Sequence, residues 1–357
     1  MKRVFTGWML CAGFVGGVPH TSAQTFEGTY TTELQYGGSK NFNWVNLLRL
    51  DASLSIKNGT FDLSTIHIYK TRPERIASDW QVFSNIEEDN RAVSLFVMGY
   101  TQHFRRMSLF GGLRNVNEDY FNSPVTSLFT NSSCGIFPTL SANYPLANYP
   151  LSAVCLDYKL SLKSWSFETS IYNGVAHSGF GKKNHMLSFN PRRDGVFSLS
   201  SLNYQSDYGN YFGGVALHNR MCVDYENGEQ ISEQEKEKTA FVRKMNWTWW
   251  AYAEQAIYRN LRKRIDLLIQ YSENPSVSDG CRRYVGLGMV FSNFPQNKSK
   301  LGVCFNYAQF GIGDEKALEV TYNVKLTNKC SIQPAVHWIR NRTGVYTVGM
   351  MRMVIHT

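Results

Sequence analysis

Apolar and polar residues alternate with a period of two over stretch after stretch of this chain. Leu48, Leu50, Ala52, Leu54 and Ile56 are apolar or small, while Leu47, Arg49, Asp51, Ser53 and Ser55 between them are mostly polar. Successive side chains of a strand point to opposite faces, so the pattern predicts a strand with one greasy face and one wet face. The alternation recurs with Val154, Leu156, Tyr158, Leu160 and Leu162 against Cys155, Asp157, Lys159 and Ser161. It recurs with Trp165, Phe167, Thr169 and Ile171 against Ser166, Glu168 and Ser170, and most cleanly with Leu318, Val320, Tyr322 and Val324 against Glu319, Thr321, Asn323 and Lys325. Such segments number about sixteen, from residues 25–36 to residues 344–355.

The connections between them fall into two sets. Short junctions are expected at Asn58-Gly59, Arg105-Arg106, Lys163 and near Asn328, whereas residues 70–91, 115–151, 174–194 and 219–244 form long loops. Short turns then share one end of the sheet and long loops the other. A soluble sandwich would bury its apolar faces in a core; here nearly every strand carries charge on its other face, including Arg49, Asp51, Glu168, Glu254 and Glu319. A cylinder with lipid outside and water inside accommodates that pattern. The fold class is therefore all-β: a transmembrane antiparallel β-barrel of about 16 strands, multi-pass in a bacterial outer membrane, with outer-membrane lipid as its surroundings. Trp44, Trp165, Trp247, Trp249 and Trp338 lie near strand ends, where interfacial aromatic girdles form.

Residues 1–23 read as a signal peptide, with Lys2 and Arg3 before an apolar run and Thr21-Ser22-Ala23 before the cut, leaving a barrel domain over 24–357. No later run of about 20 apolar residues predicts a spanning helix. Without Lys2 and Arg3, the chain's 37 basic and 28 acidic residues leave a charge of +7, too modest to call for nucleic acid. The remaining cysteines, Cys134, Cys155, Cys222, Cys281, Cys304 and Cys330, are sparse and show no framework spacing, so isolated thiols are expected. No CxxC or His/Cys cluster suggests a metal, and nothing points to a cofactor. His67, His103 and His218 lie on strands of mixed parity and no GxSxG is present, so the chain does not read as an enzyme.

Two stretches carry a family resemblance. "DWQVFSNIEE" from Asp79 and "NEDYFNSPVTSLFTNSSCGIFPTLSANYPLANYP" from Asn117 resemble the motifs between the early strands of the carbohydrate-selective porin (OprB) family, and "EKALEVTYNVKLTNKCSIQPAVHWIRN" from Glu315 looks like that family's penultimate hairpin. The resemblance implies a sixteen-stranded outer-membrane channel for passive diffusion of carbohydrates and related small polar solutes. Two features depart from the family pattern: Thr357 stands where an aromatic usually ends the chain, and Glu87-Glu88-Asp89 makes the first motif more acidic. The alternative is an outer-membrane adhesin, or the partner of a surface binding lipoprotein without transport, with the loop 219–244 as its contact surface. A homo-oligomer is compatible with either.

The Pro-rich run inside residues 115–151 has neither helical nor strand period. A loop leaving a wide barrel can fold back into the lumen, where water and wall side chains satisfy its backbone. Pro124, Pro138, Pro145 and Pro150 stiffen it, and residues 70–91 are expected to narrow the pore with it; a surface cap over the mouth is the simpler arrangement. Sugars are recognised by charged hydrogen-bonding groups together with aromatic planes. The candidate pore-lining residues are Arg49, Asp51 and Arg114 on inward strand faces, Glu118, Asp119 and Tyr120 at the start of the second loop, and Trp80 and Gln81 on the first.

Overall fold

A computed structural model describes residues 24–38, 41–181, 185–223, 241–277 and 279–357. The expected signal peptide and most of the charged loop 219–244 lie outside the described residues. The strands are β1 (Gln24–Gly37), β2 (Asn41–Ile56), β3 (Gly59–Lys70), β4 (Arg91–His103), β5 (Met107–Arg114), β6 (Ala153–Leu162), β7 (Trp165–Asn173) and β8 (Val196–Gln205). They continue with β9 (Gly209–Val223), β10 (Phe241–Arg259), β11 (Arg264–Glu273), β12 (Cys281–Ser292), β13 (Ser299–Phe310), β14 (Gly313–Lys325), β15 (Cys330–Asn341) and β16 (Gly344–His356). Each pairs antiparallel with its sequence neighbours, and β1 pairs with β16 to close the barrel.

The strand faces follow the alternation. Trp44, Leu156, Trp165, Ile171, Leu287, Val320, Val336 and Met351 are exposed on the outer surface, while Glu33, Gln35, Asp157, Glu254, Asp266 and Glu319 are buried on the inner one. β9 and β10 run to Val223 and back from Phe241, well past the expected ends at 218 and 245. Beyond the bilayer no lipid selects apolar residues, so the alternation fades while the hydrogen-bonded ladder continues. The β2–β3 hairpin turns at Lys57 and Asn58, with Lys57 at φ 52°, and Gly59 opens β3 rather than sitting in the turn. At the seam, Thr357 donates its main-chain N–H to the Gly28 carbonyl (3.0 Å) and accepts the Gly28 N–H on Oγ1 (2.9 Å).

The interior departs from the simple picture of water within. The inner faces of β8 and β10 to β12 carry Phe197, Leu199, Trp250, Tyr252, Leu268, Tyr284 and Val290, all buried against Phe121, Leu128, Phe129, Ile136, Phe137 and Leu140 of the loop between β5 and β6. Each such side chain contributes about 1.5–3 kcal/mol on leaving water. The wall on that side is apolar because it seats a loop rather than facing solvent. Gly302 on β13 makes room for the contact: a Cβ there would lie 2.8 Å from Leu128 Cδ2 and 2.9 Å from Phe129 Cε1.

Candidate functional site

Residues 71–90 and 115–152 leave the barrel rim and fold inward. The longer loop is built from one-turn elements: 3₁₀ turns at Val116–Glu118, Thr126–Leu128 and Ser132–Cys134, and a short helix α1 (Pro138–Ser141). Asn115 and Asn131 accept the main-chain N–H of Asn117 (2.8 Å) and Ser133 (2.9 Å), which starts the first and third turns. Pro138 opens α1, where its missing N–H has no cost.

Wall carboxylates hold both loops. Glu254 of β10 accepts from the Val125 N–H (2.8 Å) and from Ser123 Oγ. Glu319 of β14 accepts from the Thr130 N–H (2.8 Å) and the Asn131 N–H (3.0 Å). Glu315 takes the N–H groups of Trp80 and Gln81, each at 2.8 Å. Glu33 of β1 accepts from Ser84 Oγ (2.6 Å) and from Arg352 Nε across the seam (2.7 Å), and Arg352 also donates to Asn85 Oδ1 (2.6 Å). The loops bond to each other through Asn85 N–H to the Thr130 carbonyl (2.8 Å) and Ser132 N–H to the Val82 carbonyl (2.9 Å). Val82 (φ 58°) and Phe121 (φ 64°) occupy the left-handed region, at about 1–3 kcal/mol each, held there by these surrounding contacts.

Burial shapes the acidic groups of the loops. It pushes the Asp79 carboxyl up to about 7, with the neighbouring Glu315 adding to the rise and Arg75 opposing it. Burial, with Glu168 and Asp157 nearby, raises Asp119 to about 8 against the pull of Arg114. Desolvation likewise raises Glu87 and Glu88.

Two of the cavities beside the loops share residues. A loop-side chamber of about 460 Å³ is lined by both loops and includes Trp80, Gln81, Glu88, Phe96, Asn117, Phe121 and Tyr149. A turn-side chamber of about 350 Å³ is lined by Glu27, Asp51, Asp62, Phe110 and Arg114. Arg49 and Glu118 line both, and therefore sit where the chambers meet. Their contact is bidentate, with Arg49 Nη1 at 2.7 Å and Nη2 at 2.9 Å from the two oxygens of Glu118. Arg49 Nε also donates to Asp51 Oδ1 (2.9 Å), and its guanidinium lies 5.3 Å from the centre of the Phe96 ring.

The eight residues singled out from the sequence therefore separate. Arg49, Asp51, Glu118 and Arg114 gather around the neck and the turn-side chamber. Trp80 and Gln81 line the loop-side chamber, Trp80 edge-on to Phe310 at 5.4 Å and Gln81 only 2% exposed. Asp119 and Tyr120 face the wall instead: Asp119 pairs with Arg114 at 2.5 Å, and Tyr120 Oη lies 2.7 Å from Ser170 Oγ. Asp62, Glu27, Asn117 and Asn122 are lining residues that the sequence reading did not single out. Inward parity on β3 marked Asp62, and the two asparagines lie within the quoted Asn117 stretch.

A closed barrel that shows lipid-compatible side chains outward and narrows its own lumen with inward loops is an outer-membrane porin. Residues 39–351 match the carbohydrate-selective porin, OprB family, and the chain belongs to that family: it is an outer-membrane channel, not an enzyme. The high-pH structure of Pseudomonas putida OprB is similar in fold, with a TM-score of 0.77 at 14% identity, covering 94% of each chain. OmpT of Vibrio cholerae in its trimer form gives a TM-score of 0.58 at 9% identity, covering 94% of this chain and 99% of that one. A mutant porin of Rh. blastica gives 0.58 at 10% identity, covering 94% of this chain and all of that one. A comparison with curated proteins finds no match.

Proposed function

We propose that carbohydrate passes from the loop-side chamber to the turn-side chamber through the neck between Arg49 and Glu118, and that this ion pair is the selective element. The observation that carries the reading is that, of the charged side chains among the described residues, these two alone line both chambers. A sugar hydroxyl both donates and accepts, so it can insert between a guanidinium and a carboxylate and replace their mutual bonds with bonds to itself. The paired charges largely cancel, which favours a neutral polyol over a free ion. Trp80, Phe96, Phe121 and Tyr149 supply flat apolar surface for the sugar ring above the neck. Binding that is weak and spread over several groups lets the solute leave.

The test is single-channel recording in planar bilayers with added sugars. Arg49→Ala is expected to raise conductance and to weaken current block by sugar about tenfold, the worth of one charge-assisted hydrogen bond. Glu118→Gln leaves the guanidinium paired with Asp51 alone and is expected to shift ion selectivity towards anions. Unchanged block and selectivity in both variants would remove the neck from the transport path.

A homo-oligomer is the second part of the proposal. OmpT of Vibrio cholerae, which shares the barrel, was solved as a trimer. Scattering mass of the detergent-extracted protein is expected to be a multiple of the protomer; a monomer mass over a range of mild detergents would overturn this.

A further inference from the structure

Two thiols meet where the longer loop is seated on the wall. Cys134 ends the turn Ser132–Cys134, and Cys304 lies within β13 with its side chain inward. Their Sγ atoms are 3.4 Å apart although 170 positions separate them in sequence, and both residues are fully buried. Each is held from more than one side. Asn131 caps the turn and is itself bonded to Glu319, and the Cys134 carbonyl accepts from Gln270 Nε2 at 2.9 Å. β13 is paired along its length with β12 and β14. The Asn306 amide touches both sulfurs, with Nδ2 at 3.4 Å from Cys134 and Oδ1 at 3.3 Å from Cys304. Cys281, also buried, turns its Sγ to the Arg283 carbonyl instead, at 3.6 Å.

We propose that Cys134 and Cys304 form a disulfide that ties the constriction loop to the barrel wall. An outer-membrane protein matures outside the cytoplasm, in a compartment where disulfides persist. The reaction is thiol–disulfide exchange with an external protein disulfide. The thiolate of one cysteine attacks that disulfide and forms a mixed disulfide, and the second thiolate then displaces the oxidant's sulfur. The two thiols lose two protons and two electrons, and the oxidant leaves as a dithiol. Because both sulfurs are sealed from solvent in the seated loop, the exchange precedes final seating. The two sulfurs, 3.4 Å apart, must close to about 2.05 Å to bond, an approach of little more than 1 Å. The link closes a long ring and keeps the loop on its side of the lumen even when its polar anchors open. This tether does not depend on which solute passes, so it can fail while the sugar path stands, and the reverse.

The test uses full-length protein extracted from outer membranes with free thiols blocked at lysis. After denaturation without reductant, Cys134 and Cys304 are expected to resist maleimide labelling, and digestion is expected to yield one linked peptide pair containing both. Labelling of either residue without reductant, or a link from either to another cysteine, overturns the proposal. Cys134→Ser is expected to leave Cys304 reactive in denaturant, and Cys304→Ser to leave Cys134 reactive. The wild-type peptide map decides the question alone if these variants do not assemble. In planar bilayers, wild type refolded from denaturant under reductant is expected to show partial-conductance transitions severalfold more often than the oxidised wild type, matching Cys304→Ser. Traces indistinguishable between the oxidised and the reduced, refolded preparations would overturn the tether's mechanical role.

Discussion

Arg49 shows how little a single side chain decides alone. Its guanidinium is shared between Glu118 of the inward loop and Asp51 of its own strand, so its position is fixed by a loop and a wall together. Asp79 is the residue whose charge state matters most for that loop. Its Oδ2 accepts the Phe83 N–H at 2.5 Å beside Glu315, and burial raises its pKa from 3.8 to about 7. The folded state therefore holds this proton more tightly than the unfolded chain. Stability from the neutral group is fully present below 3.8 and is lost as pH rises towards about 7. The amides of Gln81 and Phe83 are expected to exchange faster, beyond the intrinsic pH effect, at about pH 8 than at about pH 5. Asp79→Asn, which keeps the neutral form, is expected to remove the excess; an equal excess in the variant would exclude Asp79 as the cause.

Among the elements, the strands were legible because lipid imposes a rule on each outward position independently. Leu318, Val320 and Tyr322 needed no partner to be assigned their face. The inward loops were legible as loops, through Pro138 and the missing period, but their seats were not. Trp250, Tyr252 and Tyr284 look like alternation defects in sequence, and only long-range packing against Phe121 and Phe137 shows why they are there. For the same reason Tyr120 read as pore-facing: its parity in an irregular loop carries no information, and its hydroxyl is satisfied by Ser170. Gly302 gives the element-scale test. Gly302→Val would intrude on Leu128 and Phe129 and is expected to cost about 1–3 kcal/mol of loop seating. The readout is a lower thermal midpoint together with larger single-channel conductance; a normal conductance would mean the loop tolerates the displacement.

For the whole molecule, closure was readable only as an even count of strands, not as a seam. The seam also carries two hydrogen bonds between Thr357 and Gly28. Thr357→Ala keeps one and is expected to lower resistance to heat and detergent by about 1 kcal/mol, read as a shift of the unfolding midpoint on unheated gels. A midpoint equal to wild type would show that the ladder from Thr29 to Gly37 suffices.

The anchors of the two inward loops come from strands far later in the chain. The loops are made by residues before β6, yet they are fastened by Glu254, Glu315 and Glu319, and by Arg352 of the final strand, which grips Glu33 and Asn85 at once. During biogenesis the shorter loop therefore gains its last fastening, through Arg352, only when the final hairpin has arrived, so the ends of the chain lock the narrowed passage together.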